Sequence, residues 1–360
     1  MTSALGGRRI RVLAVDDSAV MRGVLRMVFD RSPEIEVVAT ASNGADGVAD
    51  FDRLQPDLVL LDIEMPQMNG LEALSAIRRR NRRVPVIMCS TLTSRGAHIT
   101  LDALSRGATD YVSKPAAQSG VRSGVETLAH ELLPKILALF AQPPAVATPA
   151  ATPIPPSASA SPRVVVVGVS TGGPAALETL LPVLPAAFPL PILIVQHMPQ
   201  LFTRLLAERL NSLCALRVRE AAEDHCAEPG TATIARGDWH MELTRDFRLS
   251  LNQNPPENFC RPSVDPLFRS AAEAAPGRVL GVVLTGMGSD GLAGARAIRA
   301  SGGAILAQDA STSVIWGMPG AVAGAGLANR ILPLDALAAE ILRYARVPSP
   351  LLKTAEVPAV

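Results

Sequence analysis

The chain contains 360 residues, and because a single hydrophobic core seldom serves more than ~250–300 residues, we expect two domains. Its formal net charge of +1 excludes the strong overall attraction to nucleic acid or to an acidic membrane that a highly basic protein has. Its four cysteines lack metal-binding spacing and no apolar run is long enough to span a bilayer. We therefore expect a cytoplasmic protein with free thiols and no membrane insertion.

The first 141 residues alternate between strand-like and helix-like patterns. Strands are predicted at residues 11–15, 35–39, 58–61, 84–89 and 110–113, and helices at residues 18–30, 45–54, 71–79, 95–106 and 120–140. Five strand–helix units in succession predict an α/β fold with a five-stranded, doubly wound parallel sheet of the flavodoxin type. We therefore predict a first domain at residues 1–141.

Residues 142–162 separate this domain from the rest of the chain. They contain 7 Pro, 6 Ala and 5 Ser or Thr among 21 residues and carry no charge, which predicts an extended linker. The second domain, residues 163–360, has strand-like runs that each precede a helical pattern, at residues 163–168, 191–196, 278–284 and 303–307. This predicts another α/β domain with a parallel sheet, and the short alternating runs of residues 217–251 predict a β-hairpin excursion from it.

Charged and hydroxyl side chains follow several strands of the first domain. They are Asp16 and Asp17 after the first strand, Asp62 after the third, Ser90 and Thr91 after the fourth, and Lys114 after the fifth. Because parallel strands share one carboxyl edge, we expect the three carboxylates to lie together, where they repel unless a divalent cation joins them. Oxygen ligands suit Mg²⁺, and a lysine there can hold an anion.

This order of residues, with D-x-x-M-P-x-x-x-G at residues 62–70, resembles the receiver domain of bacterial response regulators. The resemblance implies that Asp62 accepts a phosphoryl group from a histidine kinase. It also implies Mg²⁺ ligation by Asp16, Asp17, Asp62 and the Glu64 backbone carbonyl, phosphoryl contact by Lys114, and switch roles for Tyr111 and Ser90. Thr91 remains open as the switch hydroxyl in place of Ser90.

Three strand ends of the second domain predict another site. Ser170 follows the first strand within G-x-S-x-G, a turn that exposes a nucleophile or, alternatively, a glycine-rich loop that binds an anion. His197 follows the next strand and Asp290 lies in a glycine-rich turn after a third, which together predict a Ser-His-Asp triad. The spacing leaves Asp265 and Asp309 open as the acid. The order Ser, His, Asp differs from that of α/β-hydrolases, so the motif does not assign that fold.

The second domain resembles the catalytic domain of the chemotaxis protein-glutamate methylesterases, the CheB family. The matching motifs are GVSTGGP at residues 168–174, VQHMP at 195–199, RPSVDPLF at 261–268 and LTGMGSDG at 284–291. The resemblance implies that Ser170 is the nucleophile, His197 the general base and Asp290 its orienting acid, with Thr171 and the Met287 N–H beside the oxyanion. It implies no cofactor at this site, and it leaves His240 as either an active-site-edge residue or a loop histidine.

The two resemblances together imply a phosphorylation-activated serine esterase. Its substrates would be methylated glutamates, and glutamines that it deamidates, on the cytoplasmic helices of chemoreceptors. Two alternatives stay open: a phosphorylation-regulated hydrolase of another ester or amide, and a non-catalytic signalling module whose glycine-rich loop binds a nucleotide or a protein. A DNA-binding regulator is disfavoured, because the basic cluster at residues 78–83 ends a predicted helix, where cations suit the helix dipole.

Overall fold

The computed structural model describes residues 8–91, 93–115, 121–141 and 161–347 of the chain. The chain divides into two compact units, Met1–Gln142 and Pro143–Val360. Most of the linker predicted at residues 142–162 lies outside the described residues, as do residues 348–360 and the first residue of the helix predicted at 120–140.

The described part of the first unit alternates strands with helices. In chain order these are β1 (Ile10–Val15), α1 (Ala19–Phe29), β2 (Ile35–Ala41), α2 (Gly44–Leu54), β3 (Leu58–Asp62), α3 (Gly70–Arg80), β4 (Val86–Ser90), α4 (Ser94–Ser105), β5 (Asp110–Ser113) and α5 (Val121–Phe140). The strands pair in parallel in the order β2-β1-β3-β4-β5. The predicted five-stranded doubly wound sheet is confirmed, and each element end lies within two residues of its predicted position.

Local sequence explains how this unit positions its carboxyl edge. Strand β3 is buried along its whole length, as its uninterrupted apolar run requires in the middle of a parallel sheet. Beyond it, Asn69 and Glu72 form a capping box, in which each side chain accepts the other residue's backbone N–H at 3.0 Å. The box starts α3 and thereby fixes the end of the loop that follows Asp62.

The described part of the second unit also alternates, with a short 3₁₀ turn at Leu181–Val183. Its elements are β6 (Val164–Val169), α6 (Gly173–Leu180), β7 (Ile192–Gln196), α7 (Gln200–Leu213), β8 (Arg217–Glu220), β9 (Thr231–Ile234), β10 (His240–Leu243), β11 (Leu249–Asn252), α8 (Val264–Ala274), β12 (Val279–Val283), α9 (Leu292–Ala300), β13 (Ala304–Gln308), α10 (Met318–Gly324), β14 (Arg330–Leu332) and α11 (Leu334–Tyr344). Seven strands pair in parallel in the order β14-β13-β12-β6-β7-β9-β8. The predicted α/β parallel sheet is confirmed, and β6 occupies its middle.

The hairpin in this unit is shorter than the stretch predicted at residues 217–251. Strands β8 and β9 pair in parallel with each other, and β9 pairs in parallel with β7, so both extend the main sheet. The antiparallel hairpin is formed by β10 and β11. The prediction was wrong for β8 and β9 because four-residue strands carry too little periodicity to indicate their partners.

Helix α8 packs between the hairpin and the main sheet. Phe268 of α8 belongs to one buried cluster with Met241 and Leu243 of β10, Val166 of β6 and Val283 of β12. This packing holds the N-terminus of α8 near the carboxyl ends of β6 and β12. Among the described helices, none combines the length and the apolar character that crossing a membrane requires.

Candidate active site and phosphorylation site

Ser170 lies in the tight turn between β6 and α6, at the middle of the seven-stranded sheet. Its backbone N–H donates to Thr285 O at 3.0 Å, just beyond the end of β12. Gly286 permits this close approach, because a Cβ at that position would lie 2.8 Å from Ser170 Cβ. Gly172, with a φ of +78°, completes the turn as α6 begins. The serine is therefore held at the carboxyl edge, between two glycine-containing turns.

His197 follows β7, the strand beside β6. The last register pair of these two strands directly precedes Ser170 and His197, so both residues leave the sheet at the same level. His197 Nε2 lies 2.8 Å from Asp290 Oδ2, and Nδ1 lies 3.5 Å from Cys260 Sγ. No hydrogen bond joins the imidazole to Ser170 Oγ among the described residues. The structure thus brings histidine and aspartate into direct contact, and serine and histidine onto adjacent strand ends.

Asp290 lies against the N-terminus of α8. Its carboxylate accepts the backbone N–H groups of Val264 at 2.7 Å and of Asp265 at 3.1 Å. The Ser263 hydroxyl donates to it at 2.8 Å, and Asn258 Nδ2 donates at 2.9 Å. A helix N-terminus and several donors stabilise a buried anion. The acid of this site is therefore held rigidly and in its charged form.

The pKa values of the His197–Asp290 pair follow from these contacts. Burial by itself would raise the pKa of Asp290, but hydrogen bonds from His197, Val264 and Ser263 outweigh it and hold the pKa below its ordinary value. Burial opposes the imidazolium form of His197, but Asp290 and Cys260 outweigh it and raise the pKa of His197 to about 9. The pair consequently favours a carboxylate beside an imidazolium when no substrate is bound.

The other two candidate acids have different partners. Asp265 Oδ1 accepts the Gly294 N–H at 2.6 Å, and Asp309 Oδ1 accepts the Thr312 hydroxyl at 2.6 Å within its own turn. Neither forms a hydrogen bond to the imidazole among the described residues. The structure therefore brings Asp290, and not these two carboxylates, to the histidine.

His240 is buried at the start of β10, against the segment that leads into α8. Its Nε2 lies 3.2 Å from Pro255 O, and its Nδ1 accepts the Ser263 N–H at 3.2 Å. Both ring nitrogens are thus engaged by backbone groups. His240 is accordingly a residue that holds the Ser263 segment in place, with no ring nitrogen left for proton transfer.

The two residues expected beside an oxyanion, Thr171 and Met287, belong to the turns around Ser170. Thr171 is the next residue, and its carbonyl accepts the Thr285 hydroxyl at 2.9 Å. Met287 directly follows Gly286 in the turn that lies against Ser170. Both residues belong to the turns that enclose the serine.

Sequence reasoning missed Asn258, Ser263 and Cys260. Asn258 contacts Asp290, 32 positions away, and Cys260 contacts His197, 63 positions away. No local sequence pattern predicts contacts between residues so far apart in the chain. Ser263 lies within the RPSVDPLF motif, so a closer look at its hydroxyl, directly before a helix, could have indicated a polar role.

The acidic residues of the first unit converge at the carboxyl edge of its sheet. One oxygen from each of Asp16, Asp17 and Asp62 lies within 4.8 Å of the others. Lys114 Nζ lies 2.8 Å from Asp16 Oδ2 and 2.8 Å from Asp62 Oδ2. A cavity of about 210 Å³ opens here, lined among others by Asp17, Asp62, Glu64, Ser90, Thr91 and Lys114.

The donor set of this cavity fits a small divalent cation. Burial raises the pKa of Asp62 to about 6, although the hydrogen bond and the charge of Lys114 act in the opposite direction. Three carboxylates converge here beside one lysine. Asp16 Oδ2 is buried and accepts no well-formed hydrogen bond within the described residues, although Lys114 lies close by. Converging carboxylate oxygens of this kind are the ligands that Mg²⁺ prefers.

The residues with an expected switch role occupy different environments. Ser90 is buried at the end of β4, where its Oγ accepts the Thr100 hydroxyl at 2.8 Å, whereas Thr91 is exposed. Tyr111 is buried in β5. The side chain of Glu64 is exposed, so a ligand from this residue would come from its backbone.

Two family models match the chain, one described as response regulator receiver domain at residues 12–126 and one as CheB methylesterase at residues 165–341. The crystal structure of the Thermotoga maritima CheB methylesterase catalytic domain is similar with a TM-score of 0.50 at 40% identity, covering 51% of this chain and 99% of that chain. The fold and these matches define the class of protein, a response regulator whose output unit is an esterase domain.

Similar full-length proteins narrow this class. A protein-glutamate methylesterase/protein-glutamine glutaminase of Nocardioides sp. is 50% identical over 348 residues, which cover 93% of this chain and 95% of the relative. A relative of the same name from Trichodesmium erythraeum is 47% identical over 347 residues, which cover 93% and 99%. The chain belongs to the family of protein-glutamate methylesterases/protein-glutamine glutaminases.

Proposed function

We propose that this protein is a phosphorylation-activated esterase that hydrolyses glutamate methyl esters on chemoreceptors and also deamidates receptor glutamines. The observation that carries the proposal is the 2.8 Å contact between His197 and Asp290. His197 follows β7, which pairs with β6, the strand that leads into the turn containing Ser170. Membership in a family whose relatives are named for both activities supports it. The substrates are the cytoplasmic helices of the receptors, so the enzyme acts in the cytoplasm.

The reaction is an acyl transfer through Ser170. Its Oγ attacks the ester carbonyl carbon while its proton passes to His197. Because Nε2 of the imidazole is bound to Asp290, Nδ1 acts as the base. His197 then gives the proton to the departing methoxide, and methanol leaves a glutamyl ester on Ser170. Water, activated by the same nitrogen, hydrolyses this ester, and a glutamine substrate follows the same path with ammonia as the leaving group.

The charge that develops on the carbonyl oxygen is stabilised by the backbone N–H groups of Thr171 and Met287. The turns that carry them are fixed before the substrate arrives, by the Thr285 hydrogen bonds and by the packing of Gly286 against Ser170. Each preorganised donor of this kind contributes roughly 2.7–4 kcal/mol to the stability of the transition state. This chemistry uses no cofactor at the esterase site.

Phosphorylation takes place at Asp62 in the first unit, with a chemotaxis histidine kinase as the donor. Mg²⁺ held by the carboxylates of Asp16, Asp17 and Asp62 and by the Glu64 carbonyl would neutralise the pocket and allow an anionic donor to approach. Lys114 contacts the phosphoryl oxygens. The buried hydroxyl of Ser90 reorients toward the new acceptor, and Tyr111 responds as the switch aromatic.

Methanol release from methylated receptor tests the proposal. We expect Ser170→Ala to abolish methanol release, because no other side chain replaces the nucleophile, while Asp62 still accepts phosphate. Ser212→Ala removes an exposed hydroxyl of α7 and serves as the matched control, which should retain the wild-type rate. Turnover that survives in Ser170→Ala would refute the nucleophile. A wild-type enzyme that hydrolyses other esters but not methylated receptor would refute the substrate.

A further inference from the structure

Residues 257–260 form a tight turn beside the proposed active site. The Glu257 N–H donates to Cys260 O at 3.2 Å, and the Cys260 N–H donates to Glu257 O at 2.9 Å. The two central residues, Asn258 and Phe259, have φ values of +52° and +62°, as in a type I′ turn. Asparagine adopts this region readily, but a bulky aromatic residue does so at an energetic cost. Folding alone would favour glycine at the position of Phe259.

The turn is anchored on both sides of Phe259. Glu257 accepts two hydrogen bonds from Arg269 of α8, at 2.7 and 2.9 Å. Asn258 donates to Asp290, and Cys260 contacts His197 Nδ1. These contacts hold the turn in one position relative to the histidine and aspartate. The anchored turn therefore places Phe259 next to the residues proposed to react.

Phe259 is 98% exposed, the highest value for a large hydrophobic residue in the described part of the chain. Two other exposed apolar side chains lie near Ser170: Met287, 36% exposed, follows Gly286, and Val314, 40% exposed, packs against Gly172. Exposed apolar groups that cluster around a site indicate contact with a partner. The remaining exposed large hydrophobics among the described residues of the second unit are Leu213 and Ile331.

We propose that Phe259 is a specificity-determining residue that packs against an apolar side chain of the methylated receptor segment, beside the ester being hydrolysed. This inference rests on the proposed function. The esterified side chain is short, so the segment that carries it must lie against the turns around Ser170 when its carbonyl reaches the serine. Phe259, Met287 and Val314 then meet the neighbouring residues of that segment.

A helical segment matches this apolar rim. Residues three and four positions from the modified glutamate lie on the same face of a helix, so one apolar side chain there would contact Phe259 while the ester enters the site. Aromatic residues that become buried at an interface contribute much of its binding energy, and a turn whose backbone is already anchored loses little backbone entropy on binding. A contact with the receptor would explain why phenylalanine, and not glycine, stands at this position.

Three substitutions of Phe259 test the inference in the full-length, phosphorylated enzyme. We expect Phe259→Ala to raise the KM for methylated receptor about tenfold, and to lower the ratio of receptor kcat/KM to p-nitrophenyl acetate turnover by about the same factor. Phe259→Gly should show the same rise in KM although it relieves the backbone strain. This variant therefore distinguishes an effect of the missing ring from an effect of the strained backbone. Phe259→Trp should retain the wild-type ratio.

Leu213→Ala provides the matched control. Leu213 ends α7, a helix of 14 residues that begins just after His197, so it lies about 20 Å from the site at ~1.5 Å per residue. An unchanged receptor KM in Phe259→Gly, or an equal loss in Leu213→Ala, would overturn the inference. A faster unphosphorylated enzyme in Phe259→Ala would show that the ring contacts the chain's own first unit instead. A wild type that hydrolyses the small ester but releases no methanol from receptor would show that the proposed function itself fails.

Discussion

His197 meets a different group on each ring nitrogen, a carboxylate at Nε2 and a thiol at Nδ1. Both contacts favour the imidazolium, and they raise the pKa of His197 to about 9 against the effect of burial. A general base must be neutral before it accepts a proton. For His197 in its proposed role as the base, we therefore expect the contacts that position the ring to determine also the pH at which the enzyme becomes active.

The pH dependence of ester hydrolysis follows from this pair. We expect kcat/KM to rise with pH through an apparent pKa above the ordinary 6.5 of histidine, because His197 must lose its proton. In Cys260→Ala the rising limb should move to lower pH, since one group that favours the imidazolium is gone. Rate profiles between about pH 5.5 and 10 measure both, on the same receptor substrate.

Cys226→Ala is the control for this experiment, because Cys226 is an exposed thiol that makes no contact with His197 among the described residues. Its profile should coincide with that of the wild type. A limb that moves to higher pH in Cys260→Ala would mean that the thiol donates to neutral Nδ1, and that it assists the base instead of opposing it.

The choice among three acids shows what the sequence could and could not settle. Asp265, Asp290 and Asp309 all follow or begin elements at the carboxyl edge, so spacing alone left each possible. The distinction lies in contacts of 2.7–3.1 Å between Asp290 and the N-terminus of α8, which depend on how that helix docks. Such docking is a tertiary property, and residue patterns describe local periodicity only.

Helix α8 contributes more than packing, because its N-terminus receives the Asp290 carboxylate. Three consecutive positions, Ser263, Val264 and Asp265, donate to that one group. The N-cap hydroxyl of Ser263 thus bonds to a carboxylate of another element instead of capping its own helix. Because Phe268 anchors α8 in the hydrophobic core, the packing of this helix also determines where the Asp290 carboxylate lies.

Ser263→Ala tests this coupling. The substitution removes a hydrogen bond to a charged group, which contributes about 1.5–3 kcal/mol, and two N–H groups of α8 remain. We expect kcat to fall by about tenfold with little change in KM, because the acid loses rigidity but substrate contacts persist. Steady-state kinetics with methylated receptor measures kcat and KM separately.

Ser270→Ala is the matched control on the same helix. Its Oγ accepts the Leu243 N–H at 3.0 Å and donates to α8 carbonyls, away from Asp290. This variant should lose stability in thermal unfolding and keep its kcat. If both serine variants lost the same fraction of kcat, the effect of Ser263 would be one of general stability.

The strands of the second unit differed in how well their sequence predicted them. The run Val164–Val169 is buried at every position, and its unbroken apolar sequence correctly predicted a strand, at residues 163–168. Arg217–Glu220 lies at the sheet edge and is partly exposed, so its alternating pattern resembled a hairpin strand. Edge strands are harder to predict from hydrophobicity because half of their side chains face water and need not be apolar.

The whole chain joins two sites with different chemistry, an acidic cavity in one unit and an esterase site in the other. Moving a population almost completely from an inactive to an active state needs ~5.5 kcal/mol. Two or three charge-assisted hydrogen bonds to a phosphoryl group, at about 1.5–3 kcal/mol each, would contribute about 3–9 kcal/mol, a range that includes this amount. Three such bonds of average strength around Asp62 would therefore be enough for a full switch.

Asp62→Asn tests whether phosphate controls the esterase. With acetyl phosphate and Mg²⁺, we expect the wild-type methanol release to rise about tenfold or more, and the variant to remain at the basal rate. Chelation of the metal should remove the stimulation in the wild type, because the pocket charge is then uncompensated.

Asp52→Asn replaces an exposed carboxylate that pairs with Arg80 and is the control for charge. It should respond to acetyl phosphate as the wild type does. Stimulation that persists in Asp62→Asn would place the phosphoryl acceptor elsewhere in the chain.

Strand β6 is the fourth of seven, with three strands on each side. Local melting at its end would break pairing with both neighbours, and central strands open only at a free energy close to that of global unfolding. The proposed nucleophile thus follows a strand that opens only at a high free energy, whereas the side chains of Phe259, Met287 and Val314 are exposed and can be replaced without disturbing the sheet. Under the proposals above, divergence of those three side chains can redirect the enzyme to new protein targets while its hydrolytic groups persist.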